Sequence, residues 1–226
     1  MSIYAISDLH LSFQTEKPMN KFGNVWADYE EKMKFQWNEV VEKSDIVLIP
    51  GDVSWATYLQ SAVQDFRFID ELNGLKLISK GNHDYWWETL NKLNEFIKEN
   101  EFSTVQFLHN TCFDAGDYVI CSAKGYDLSV EEKLQNRECI RLNLSLAQGA
   151  ELGKPIIAML HYPPFDKSLR LYPDIKELLE KYNVKVCIYG HLHAEGHKKC
   201  INENIDGVEY KLVSADFLDF MPVKIA

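Results

Sequence analysis

The sequence predicts an α/β fold, and two observations carry that expectation. Short apolar runs of strand character alternate with stretches whose apolar residues recur at helical spacing. Several of those runs stop abruptly at Gly, Pro, Asp, Asn or His, as strands do where they enter a loop.

The elements follow in order. Residues 3–7 read as a buried strand ending at Ser7-Asp8-Leu9-His10. Residues 11–25 carry polar, Gly and Pro signals and read as a loop. Trp26, Tyr29, Met33, Trp37, Val40 and Val41 mark an amphipathic helix. Ile46 to Ile49 is a second strand, stopped by Pro50-Gly51-Asp52. Leu59, Ala62, Val63, Phe66 and Ile69 share one helix face, and Leu75 to Ser79 is a third strand, stopped by Gly81-Asn82-His83-Asp84.

Leu90, Leu93, Phe96 and Ile97 mark a third helix, residues 104–123 a run of short strands, and residues 130–148 another helix. Ile156 to Leu160 reads as a strand ending at His161-Tyr162-Pro163-Pro164. A helix near 174–182 leads to strand Val186 to Tyr189, which ends at Gly190-His191-Leu192-His193. The segments 200–205 and 208–213 read as a hairpin around Asp206-Gly207. This order implies right-handed crossovers and a largely parallel central sheet. No linker divides the chain, so residues 1–226 are expected to form one domain.

Composition narrows the function. The net charge of −10 disfavours binding to a nucleic-acid backbone. A small phosphorylated substrate remains compatible, because bound cations reverse the sign locally. The five cysteines show no CxxC spacing and read as reduced thiols. The chain opens directly into a strand, with no basic and apolar leader, and no apolar run is long enough to span a bilayer. The expectation is a cytoplasmic protein with no membrane partner; oligomeric state is not legible.

One pattern points to chemistry. Asp8 and His10, Asp52, Asn82 and His83, His161, and His191 with His193 all follow apolar runs. Parallel strands point their carboxyl ends to one edge, where open α/β sheets bind ligands. Taken singly, each has a structural explanation: a cap, a Pro-Gly-Asp turn, a polar loop, a satisfied histidine. Jointly they describe a metal site, since five of the seven histidines fall at these ends. His109 and His197 read as surface or loop residues.

These blocks, Asp8-Leu9-His10, Gly51-Asp52, Gly81-Asn82-His83-Asp84, His161 and Gly190-His191-Leu192-His193, resemble the signature of the calcineurin-like metallophosphoesterase superfamily. The resemblance runs from residue 8 to 193. It implies two mixed β-sheets packed as a sandwich and flanked by helices. It also implies that Asp8, His10 and His193 hold one metal, that Asn82, His161 and His191 hold another, and that Asp52 bridges them. His83 would face the substrate.

Carboxylate, imidazole and amide donors suit divalent or trivalent Mn, Fe, Zn, Ni or Co. Two such ions about 3.5–4 Å apart share a bridging hydroxide that attacks phosphorus in line with the leaving oxygen. His83 is the candidate general acid, and Asp84 either orients it or caps a helix starting near Tyr85. The expected activity is hydrolysis of a small phosphomonoester, phosphodiester or nucleotide.

Substrate signals are fewer. Gly51-Asp52-Val53-Ser54 lacks the second carboxylate and the arginine of the superfamily's GDxVDRG protein phosphatases, so a protein phosphatase is the weaker alternative. A non-catalytic scaffold is the other alternative, and scaffolds tend to lose ligands that are all present here. His83 stands where lipid A-type pyrophosphatases more often carry Arg. Asn82, Tyr162 and Arg170 are candidate substrate contacts, and Phe13, Trp55, Tyr85, Tyr162 and Phe165 crowd the motif loops as an aromatic rim or as a seal over the core; Trp86 and Trp87 read as core.

Overall fold

Alternation along each strand decides how the chain packs. A computed structural model describes residues 1–226. Strands β1 (Ile3–Ala5), β2 (Ile46–Ile49), β3 (Leu75–Ile78) and β4 (Val105–Phe107) run parallel, with β11 (Val223–Lys224) antiparallel beside β1. A second sheet runs β5 (Cys112–Asp114), β6 (Val119–Ala123), β7 (Ile156–Leu160), β8 (Val184–Tyr189), β10 (Val208–Leu212), β9 (Asn204–Ile205). Its four central strands, β6, β7, β8 and β10, are parallel and its edges antiparallel.

Successive side chains on a strand face opposite ways, so each apolar run serves two cores. Ile46 and Leu48 of β2 join Ile157 and Met159 of β7 and Ile188 of β8 in a core between the sheets. Val47 and Ile49 face the other way, onto helices α1 (Tyr29–Val40), α2 (Val63–Glu71) and α3 (Leu90–Glu99). Ile156, Ala158 and Leu160 pack beneath α4 (Glu132–Ala150) and α5 (Pro173–Lys181). The layers are therefore helix, sheet, sheet, helix: the α/β sandwich expected from the signature. The single parallel sheet inferred from element order is instead two sheets, each carrying parallel strands at its centre.

Other boundaries moved for local reasons. Trp26 lies in a 3-10 turn and α1 starts at Tyr29, because Asp28 takes a left-handed φ of 49° that breaks the helix before it. Leu59–Ala62 is a 3-10 turn ahead of α2. β11 has no sequence counterpart in the reading above; it is two residues long and gains its order from β1.

The sheets are also joined at the edge that matters. Beyond β1, Ser7 donates its N–H to Val213 (2.7 Å) and accepts from Ala215 (2.9 Å), a parallel bridge to Ser214 beyond β10. This brings the carboxyl end of one sheet against that of the other. No helix is long and apolar enough to cross a membrane.

Candidate metal centre

The loops after β1 and β2 continue to pair after the strands end. Asp8 donates its N–H to Gly51 (3.0 Å), His10 to Asp52 (3.0 Å) and Leu11 to Val53 (2.9 Å). Two glycines are required by close approach. A Cβ on Gly81 would lie 2.1 Å from Asp52 Oδ1, and one on Gly190 would lie 2.3 Å from Asp8 Oδ2. Only bare backbone lets these loops come so near the carboxylates.

All seven residues expected to bind metal meet here. Asp8, His10 and His193 place their ligand atoms within 4.8 Å of one another, as do Asp8, Asp52 and His161. Asn82 Oδ1 lies 2.6 Å from His161 Nε2 and 2.8 Å from His191 Nδ1. Asp52 Oδ2 is 3.5 Å from His161 Nε2, and Asp8 Oδ1 is 3.5 Å from His193 Nε2. Asp8, His10, Asp52 and His161 are buried, so these groups cannot turn to solvent.

The chemistry of this donor set fits cation binding. His161 Nδ1 lies 2.9 Å from the Pro50 carbonyl and so must carry the proton. Its Nε2 is then a lone pair, and it faces the Asn82 oxygen, a second acceptor. Burial, partly offset by Asp8, holds His161 down to about 3, so a ring proton does not resolve the conflict near neutrality. His10 is likewise held to about 3 by burial, and its buried Nδ1 has no partner. Burial opposes a charge on His193, but Asp216 and Asp8 outweigh it and push it up to about 10. Its neighbourhood is thus negative enough to hold a cation.

The structure adds a residue that the sequence reading missed. Asp216 Oδ1 accepts from His193 Nδ1 at 2.8 Å, which turns His193 Nε2 toward Asp8 and His10. His197, half-buried in the segment after β8, brings its Nε2 to 3.3 Å from the other Asp216 oxygen. His109 is also engaged, accepting from Trp87 Nε1 at 2.9 Å.

Asp84 is neither a helix cap nor a partner of the His83 ring. The next helix starts at Leu90, behind Thr89. The Asp84 carboxylate is buried and accepts from the N–H groups of Gly81 (2.7 Å), Asp52 (2.9 Å) and Val53 (2.9 Å). It ties the loop after β2 to the loop after β3. Burial pushes it up to about 6 against the pull of those donors, which leaves it ionised at neutral pH.

His83 sits half-buried at the opening of the site. Its ring lies 4.6 Å from that of Trp55 and 5.8 Å from that of His10, and the His83 backbone N–H donates to Asp52 Oδ1 at 2.7 Å. Trp55 stacks on His10 at 4.8 Å, and Tyr162 packs 4.6 Å from His191. Trp86 and Trp87 are core. Arg170 is not brought to the site: its guanidinium pairs in solvent with Asp166 (2.8 Å).

A helix–sheet–sheet–helix sandwich gathering carboxylate, imidazole and amide acceptors at its strand ends defines a metallophosphoesterase-like protein. The chain belongs to the calcineurin-like phosphoesterase family, whose pattern matches residues 1–195. Solved structures share the fold at low identity. The phosphopantetheinyl hydrolase PptH of Mycobacterium tuberculosis is 14% identical, with a TM-score of 0.57 over 99% of this chain and 95% of that one. The protein of unknown function AQ665 of Aquifex aeolicus is 17% identical, TM-score 0.53, over 99% and 95%. GAP50, the anchor in the inner membrane complex of Plasmodium, is 11% identical, TM-score 0.53, over 96% and 72%. No curated protein resembles the sequence closely enough to match.

Proposed function

We propose that the protein is a dinuclear metal-dependent hydrolase of a small phosphate ester. The reading is carried by the convergence of acceptor atoms on two adjoining points. Asn82 Oδ1 meets His161 Nε2 and His191 Nδ1 at one, and Asp8 meets His10 and His193 at the other. Asp52 approaches both Asp8 and His161 and is the bridging candidate. Bound there, the cations would supply Lewis acidity and lower the pKa of water, making attack on phosphorus feasible near neutral pH.

The chain's own residues supply the rest. Asp216 fixes the His193 tautomer and Pro50 that of His161. Asp84 holds the backbone that carries Asp52. His83, at the opening, is placed to donate to the leaving oxygen. Burial lowers its affinity for a proton, so an anionic phosphate bound beside it would be needed to keep the ring protonated near neutral pH. Met19, Phe22, Trp26 and Trp55 line a cavity of about 500 Å³ beside His10 and His83, which suits a flat or apolar leaving group.

The test is hydrolysis of p-nitrophenyl phosphate and of a bis-p-nitrophenyl ester with added Mn²⁺. Activity on one or both, abolished by chelator, is expected. Absence of hydrolysis by the metal-loaded protein, or activity that survives complete metal removal, refutes the reading. Asp52→Ala is expected to disturb both metals together; an unchanged metal content would argue against a bridge.

A further inference from the structure

A second cavity, about 280 Å³, adjoins the ligand cluster across the Tyr162 ring. Lys80, Lys124, Arg137 and Arg141 line it, against a single carboxylate, Glu138. In a chain with ten more acidic than basic residues, that local excess of positive charge is contrary to the overall trend. Arg141 pairs with Glu138. Lys80, Lys124 and Arg137 have no carboxylate within 4.0 Å.

His109 supplies another donor. Because its Nδ1 accepts from Trp87, its proton sits on Nε2, which has no partner in the protein. The cavity is also coupled to the metal ligands through the backbone. Lys124 accepts from the N–H groups of His161 (3.1 Å) and Tyr162 (3.0 Å). Lys80 stands two residues before Asn82, within about 7 Å by chain reach. Several cations in this cavity, with the proposed phosphate-ester site across Tyr162 from it, match a ligand with anionic groups at both ends.

We propose that this cavity is an anion subsite for a second phosphate of the same substrate, so that the substrate is a bisphosphorylated small molecule. The proposal rests on the phosphoesterase reading above for the identity of the first phosphate. Arg141, held by Glu138, forms a fixed wall, and the unpaired Lys80, Lys124 and Arg137 neutralise the incoming charge.

The test uses a molecular ruler. Unhydrolysable α,ω-alkanebisphosphonates of increasing length, and the alkylmonophosphonate of each length, compete with p-nitrophenyl phosphate and are also measured by calorimetry on the Mn-loaded protein. At one span the bisphosphonate should bind about tenfold or more tightly than its monophosphonate counterpart, the gain of a charge-assisted contact. Lys124→Met and Arg137→Met, made separately, should bring that ratio toward one. Lys185→Met, remote from the cavity, should leave it intact. Equal binding of the two series at every span, or a preference that survives both cavity variants, overturns the proposal. If the ester is not turned over while calorimetry still shows the span-dependent preference and its loss in the variants, the hydrolase reading fails and the anion subsite stands.

Discussion

Replacing Asp84 with Asn isolates the contribution of one buried carboxylate to the whole ligand frame. The substitution preserves shape and removes half of the acceptor capacity. Oδ2 receives Gly81 and Asp52, and Oδ1 receives Val53. An amide keeps one oxygen, so even its better orientation leaves the Val53 N–H facing an NH₂ group. A buried unpaired donor costs about 1–3 kcal/mol, and the surviving bonds lose their charge assistance. The expected loss is therefore about 2–4 kcal/mol, read by urea unfolding of the metal-free variant and wild type. Because the same bonds hold the Asp52 backbone, metal affinity should fall by about 10–100-fold, as for other outer partners of ligands. A stability change below about 0.5 kcal/mol together with unchanged metal content would refute the assignment of Asp84 as the tie between the two loops.

Asp216→Asn should weaken the cation site at Asp8, His10 and His193 by about 10–100-fold in a chelator competition, since His193 loses the acceptor that sets its tautomer. His83→Ala should lower turnover by about 10²–10⁴-fold with metal content kept, and loss of metal would make His83 a ligand instead. Lys76 is fully buried against the Leu72 carbonyl, and burial lowers it to about 8 from the ordinary 10.5. Between those values the unfolded chain still holds a proton that the folded one has released, so folding gains stability as pH rises through this window. Wild type should therefore gain on Lys76→Met by up to about 1.4 kcal/mol per pH unit there, measured by paired denaturant titrations, and a pH-independent difference would sink the argument.

What the sequence could disclose depended on range. A strand end is a local event: Ile46 to Ile49 followed by Pro50-Gly51-Asp52 announces itself within a few residues, and so does each candidate metal-ligand block. The division into two sheets is not local. It depends on which strands pair, and so does the link between the sheets, where Ser7 reaches Ser214 across nearly the whole chain in a pairing with no periodic signature. Asp84 looked like a cap because Asp before a helix usually is one; its true partners are more than thirty positions earlier as well as nearby Gly81. Asp216 escaped because its strand was read as half of a hairpin. Its parallel pairing with β8, which makes its carboxyl end a site position, appears only in three dimensions.

The same long-range pairing explains how the site tolerates its own backbone. Asp8, His10, Asp52 and His191 all adopt left-handed φ, at 58°, 47°, 53° and 72°. A residue with a Cβ gives up roughly 1–2 kcal/mol in that region, although Asp and His enter it more readily than most. Nothing in an isolated loop would hold four such residues at once. Here each is fixed from outside itself: Asp8 and His10 by the paired loop after β2, Asp52 by Asp84, and His191 by the Asp8 carboxylate at 3.0–3.1 Å. The last contact is reciprocal, because the N–H of one ligand orients the carboxylate of another across the two sheets. The sheets therefore do more than carry the candidate ligands to one edge; their packing holds these residues in conformations that local preference resists.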